Sequence, residues 1–85
     1  MKWQRVGRRW RYEYCRRMPG GYELIIHRAC NINPRLGIFA VTVRLWDTAD
    51  RLIFETTAQR YYETLILAKA AAVRLWKRTA KEQAK

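Results

Sequence analysis

The sequence predicts an α+β domain: a four-stranded antiparallel meander sheet followed by one long C-terminal helix packed on one face (ββββα). Three observations carry that expectation. Apolar and polar residues alternate through 8–14, the period of a half-buried strand, and apolar-rich stretches of strand length follow at 22–29, 38–46 and 51–55. Turn-forming clusters separate these stretches. From residue 57 onward the apolar spacing becomes three and four, the period of a helix face. Eighty-five residues suit one domain with one core, spanning residues 1–85.

The first strand is read at 8–14, where Trp10, Tyr12 and Tyr14 point one way and Arg9, Arg11 and Glu13 the other; Trp3 and Val6 suggest an extension toward the N-terminus. Met18-Pro19-Gly20-Gly21, within 15–21, marks a turn. The second strand, Tyr22 to Ala29, is expected to set Tyr14 opposite Tyr22, Tyr12 opposite Leu24 and Trp10 opposite Ile26, matching side chains in character. That register places Glu13 against Glu23, a small electrostatic penalty. Asn31, Asn33, Pro34 and Gly37 form a loop. Ile38 to Trp46 is the third strand, with Phe39, Val41, Val43 and Leu45 on its core side. Asp47-Thr48-Ala49-Asp50 is a tight turn, and Arg51 to Glu55 the fourth strand, with Leu45 expected opposite Leu52 and Val43 opposite Phe54.

Thr56-Thr57-Ala58-Gln59 reads as a capping box that opens a helix over 57–82. At 1.5 Å per residue such a helix is roughly 39 Å long. Its core stripe is expected to hold Ala58, Tyr61, Tyr62, Leu65, Ile66, Ala68, Ala72, Val73, Trp76 and Ala80, with Lys69 as an unexplained cation inside it. Leu67, Ala71 and Leu75 fall on a flank outside the stripe. A strand of five to eight residues spans only about 17–27 Å, so the helix is expected to overhang the sheet. A second copy of the chain covering Leu67, Ala71, Leu75 and Trp76 is the expected remedy, hence a homodimer.

Charge sets the functional expectation. Eighteen Lys and Arg face seven Asp and Glu, a net charge of +11, and thirteen of the basic residues are Arg. Residues 1–20 carry seven basic groups against one acid, residues 21–59 four against four, and residues 60–85 seven against two. Such a field attracts polyanions, with nucleic acid first, anionic membrane second and acidic proteins third. Arg also offers a planar fork for phosphates and a flat surface for rings.

Catalytic and metal signatures are weak. His27 is the sole histidine, mid-strand, and with Cys15 and Cys30 it lacks the paired spacing of a zinc site. Asp47 and Asp50 are ordinary turn formers. Gly20-Gly21 lacks the length and the following Lys of a phosphate loop. No enzyme activity, cofactor or metal is expected. Two cysteines do not make a disulfide framework, and no signal peptide or membrane-length apolar run is present, so a soluble, cytoplasmic protein without membrane association is expected.

The function expected is a non-enzymatic nucleic-acid-binding accessory protein, with strand type and DNA or RNA left open. The expected contact residues are Arg9, Arg11, Arg44 and Arg51 on the sheet's open face with Trp46 as a stacking ring, Arg16 and Arg17 near the first turn, and Arg74 and Arg78 on the helix. The helix bears a basic stripe that also includes Arg60, Lys77, Lys81 and Lys85. The alternative is a protein–protein interaction or structural module, homodimeric, whose basic surface docks an acidic protein partner.

Overall fold

The computed structural model describes residues 3–8, 11–28 and 39–83, with backbone alone at 6–8 and 11–13. The expectations at Arg9, Trp10, Ala29, Cys30, Asn31, Asn33, Pro34, Gly37, Ile38 and Lys85 lie outside the described residues. The α+β class holds, but the described sheet has five strands: β1 (Gln4–Arg8), β2 (Arg11–Met18), β3 (Tyr22–Arg28), β4 (Phe39–Trp46) and β5 (Leu52–Thr57), in spatial order β1-β2-β3-β4-β5, all antiparallel. One helix follows, α1 (Leu65–Gln83), and it packs on β3 and β4.

The extra strand arises where the sequence carries one continuous alternation. Arg8 pairs with Arg11, leaving only Arg9 and Trp10 between β1 and β2, and those two residues themselves keep the polar–apolar rhythm. β2 also runs on to Met18, through residues expected in the turn. Arg16 stands on the helix side of β2, opposite Leu24, and breaks the alternation that would have marked the strand's continuation. The turn itself is only Pro19–Gly21, with Gly20 and Gly21 at φ of 82° and 86°.

The β2–β3 register is therefore four residues from the expected one: Tyr14 faces Ile26, Arg16 faces Leu24 and Met18 faces Tyr22. The shift is even, so every described side chain keeps its predicted face. It also replaces the expected Glu13–Glu23 opposition by Arg17 opposite Glu23. The β4–β5 register moves by two, with Leu45 opposite Phe54 and Arg44 opposite Glu55. An irregularity at Leu45/Trp46 then sets Trp46 against Leu52.

The helix begins at Leu65, eight residues later than predicted. Thr56 and Thr57, read as its cap, are β-branched and extend β5, opposite Val43 and Thr42. The backbone of 58–64 returns to β4: Ala58 N–H donates to Val41 O at 2.9 Å, and Phe39 and Tyr62 exchange two hydrogen bonds of 3.0 and 2.8 Å. The cap is instead Thr64, whose Oγ1 accepts from Leu67 N–H at 3.2 Å.

Nineteen residues give a helix of about 28 Å, close to the span of the strands beneath it. The overhang that required a second copy is absent. Its buried stripe is Ala68, Ala71, Ala72, Leu75 and Thr79, while Ile66 is 80% exposed. Ala71 and Leu75, expected on a free flank, thus belong to the chain's own core. Trp76 packs against that core, and of the four expected interface residues only Leu67 is exposed.

The core joins Leu24 and Ile26 of β3, Phe39, Val41 and Val43 of β4, and the helix stripe. Three alanines on the helix let its backbone lie close to the sheet. Lys69, inconsistent with an apolar stripe, sits at the stripe's margin, its Nζ 6.0 Å from the Trp3 ring centroid and 5.9 Å from that of Tyr14. Those distances are at the outer reach of a cation–π contact and give the ammonium a favourable resting place beside the core. No helix among the described residues is long and apolar enough to cross a membrane.

Candidate nucleic-acid interface

On the face of the sheet away from α1, register brings Arg17, Glu23, Arg44 and Glu55 into one cross-strand row of alternating charge. Arg44 Nε meets Glu55 Oε2 at 2.7 Å, and Trp46 Nε1 donates to Glu23 Oε1 at 3.2 Å. Arg51 Nε meets Asp47 Oδ2 at 3.1 Å. Arg44, Arg51 and Trp46 are thus engaged with the protein's own carboxylates. At the sheet's centre this face is not open either: Ile25, Ala40 and Thr42 are buried, and Thr42 and Thr57 share a hydroxyl–hydroxyl bond of 3.1 Å.

Asp47 organises the β4–β5 turn. Its Oδ1 accepts from Ala49 N–H at 2.8 Å and Arg51 N–H at 2.9 Å. The backbone hydrogen bond from Arg51 holds the carboxyl below its ordinary pKa; the Ala49 backbone bond and the Arg51 side chain add to the effect, and partial desolvation opposes it. A carboxyl depressed in the folded state stabilises the fold fully above the unfolded Asp range, near about pH 4, and that contribution disappears as pH falls through the lower folded value. We expect Asp47→Asn to narrow the stability difference between pH 6 and pH 3 in denaturant titrations. An unchanged difference would mean that the turn carboxylate contributes nothing.

The remaining expected contacts separate into three situations. Arg17 is exposed. Arg16 is half-buried on the helix side, and its Nε has no hydrogen-bond partner, as is also true of Trp76 Nε1. The continuation of β2 places Arg16 on the helix side of the sheet, away from Arg17 and Arg44. Arg11 lies on β2 with only its backbone described, and Arg9 is outside the described residues.

Arg74 and Arg78 are brought together with Arg60, which the sequence places on the basic stripe but does not single out as a contact. A groove of about 660 Å³ runs between the end of β5 with its continuation and the helix. Thr56, Thr57, Gln59 and Arg60 line one wall, Arg74 and Arg78 the other, with Tyr62, Ala71 and Leu75 contributing apolar surface. Among the described residues no carboxylate lines it and none of the three arginines is ion-paired. The Arg60 guanidinium carbon stands 5.0 Å from the Tyr62 ring centroid, a cation–π contact. Arg74 and Arg78 are one helical turn apart, which puts their side chains side by side. Thr56, Thr57, Gln59 and Tyr62 are hidden as wall residues in the sequence because 57–64 has the pattern of a helix's first turns. The β-branched pair Thr56-Thr57 is the signal for a longer strand.

A second cleft, of about 790 Å³, lies beside the Pro19–Gly21 turn. It is larger but of opposite character, combining Arg17 with Glu23, Asp47 and Asp50 around Tyr22 and Trp46. Its Asp47 and Glu23 already serve the turn and the Trp46 indole, so it offers an anion little. Neither cleft includes His27, and no cluster of three or more metal-ligating side chains occurs among the described residues. No family model matches the sequence, and no curated protein and no solved structure matches it either.

Proposed function

We propose that the protein binds nucleic acid without catalysis, and that it does so by holding the phosphate backbone in the groove between β5 and α1. One observation carries the reading: Arg60, Arg74 and Arg78 line a concave surface to which the described residues contribute no acid. Guanidinium groups gathered around one groove repel, and a phosphate chain relieves that repulsion while taking bidentate hydrogen bonds. The net charge of +11 draws such a polymer in from a distance. The Thr56 hydroxyl and the Gln59 amide supply neutral donors of the kind that position a backbone without reading sequence.

The test compares two double variants of equal charge change, Arg74→Ala/Arg78→Ala inside the groove and Lys77→Ala/Lys81→Ala outside it. Binding of a labelled mixed-sequence oligonucleotide is followed by anisotropy over a salt series. The groove variant is expected to make the log K versus log salt plot shallower by about 1.4–1.8 units, roughly 0.7–0.9 for each phosphate no longer neutralised. The lysine variant should change it far less. Equal effects from both variants, or binding indifferent to salt, would sink the proposal.

A second reading has its own observation. Ile66 is 80%, Leu67 50% and Tyr61 44% exposed, an apolar group near the start of α1 that suits a protein contact, whether a second copy or another chain. Polyglutamate included in the same titration separates an acidic protein partner from nucleic acid. Tighter binding to polyglutamate than to any oligonucleotide favours this second reading.

A further inference from the structure

The groove contains a feature that phosphate binding alone leaves unused. The Arg60 guanidinium carbon lies 5.0 Å from the Tyr62 ring centroid while Arg60 remains exposed, so the cation has the ring on one side and is reachable from solvent. The Tyr62 backbone is held by paired hydrogen bonds to Phe39, and its ring packs against the core. A planar cation backed by an aromatic ring is a stacking surface, and the flat ligand that accompanies phosphates is a nucleobase. A base can reach that surface only if it is unpaired, because a duplex turns its base faces toward its own neighbours.

The helix argues the same way. A helix that reads a duplex presents polar side chains to base edges along its exposed side. The exposed positions of α1 preceding Arg74 are Ile66, Leu67 and Ala70, none with a side-chain donor or acceptor. Exposed positive charge enters the helix only from Arg74 onward, and of these residues Arg74 and Arg78 border the groove.

We infer that the groove takes single-stranded nucleic acid, with an unpaired base stacked on Arg60 while Arg74 and Arg78 hold the adjoining phosphates. This inference rests on the phosphate-groove reading above and adds the strand type and the stacking residue. The mode is indifferent to base identity, since every base has a face to stack.

Three probes of equal length test it with the intact chain: a mixed-sequence single strand, the same sequence as duplex, and an abasic single strand that keeps the phosphates and lacks the rings. The single strand is expected to bind about tenfold or more tighter than the abasic strand, the range of one stacked base. It should also bind tighter than the duplex. Arg60→Lys retains the charge but removes the plane, so it should erase the preference over the abasic strand. The inference is overturned, with the phosphate groove still standing, if abasic and intact strands bind alike, if the duplex binds as tightly as the single strand, or if Arg60→Lys keeps the preference. Failure of all three probes to bind in a salt-dependent way removes the groove reading as well, and this inference with it.

Discussion

Leu24→Ala should lower the free energy of unfolding by about 2–5 kcal/mol, the cost of deleting a fully buried leucine and leaving a cavity. Leu24 has no solvent exposure and sits in the middle strand of five, facing the helix. Its cross-strand neighbours are Arg16 and Val43. Val43 is itself enclosed, and Arg16 can move into the space only by carrying its charged group toward the core. The site therefore has little means of repacking, which places the expected cost in the upper part of the range. A domain of this size has about 5–15 kcal/mol in hand, and each kcal/mol lowers the melting temperature by roughly 4–8 °C. Urea titration checks it, with an unchanged slope indicating a change in stability alone. Ile66→Ala is the contrast, because its side chain is 80% exposed and its removal should cost no more than about 0.5 kcal/mol. If the two substitutions cost the same, α1 does not lie on β3 as described.

Gly21→Ala is expected to be nearly as damaging for a different reason. Gly21 has φ of 86°, and a Cβ added there would lie 2.5 Å from the carbonyl oxygen of Trp46. The left-handed backbone alone costs an L-residue about 1–2 kcal/mol. The collision adds to this, since backbone oxygen at the end of β4 can retreat only by opening the Tyr22–Leu45 pairing beside it. We expect a total above about 2 kcal/mol, the left-handed cost plus the clash. Gly20→Ala isolates the first contribution: its φ is 82°, but its added Cβ meets only a Tyr22 ring carbon at an ordinary 3.5 Å. A smaller destabilisation, about 1–2 kcal/mol, should follow. Equal effects at the two positions would show that the turn does not press against β4.

These two sites also show what is legible in the chain and what is not. Leu24 and its neighbours declare themselves by alternation, and the core faces of β3 and β4 can be read directly. Gly20-Gly21 declares a turn but not where β2 stops, because Arg16 occupies a helix-facing position that a pattern assigns to an apolar residue. A β2–β3 slip of four residues follows, and the even number spares the assignment of faces there; the separate β4–β5 slip of two ends in an irregularity that sets Leu52 against Trp46. What the slips cost is the site. Only the true register sets Arg44 against Glu55 and Arg17 against Glu23, so arginines that look unpaired along the chain face carboxylates across it. Ion pairing between residues eleven apart in sequence depends on register, and register is tertiary information. The groove is hidden by a different effect. Tyr61 and Tyr62 stand at helical spacing from Leu65, yet the chain there bonds to β4, and the edge of a sheet competes successfully for backbone that local periodicity assigns to a helix. Arg74 and Arg78 stand out in the sequence as basic residues on one side of the helix, but their opposite wall does not.

The stretch from Ala58 to Tyr62 is tied to β4 at both of its ends, by Val41 and by Phe39. Its conformational entropy is therefore given up when the domain folds, before any ligand arrives. A guest entering the groove meets a preorganised wall and owes nothing for ordering it, so more of its contact energy remains as affinity. The same linkage runs in reverse: loosening Phe39 from Tyr62 would weaken binding from outside the ligand's reach, and a saturating guest would raise the melting temperature of the whole sheet by mass action.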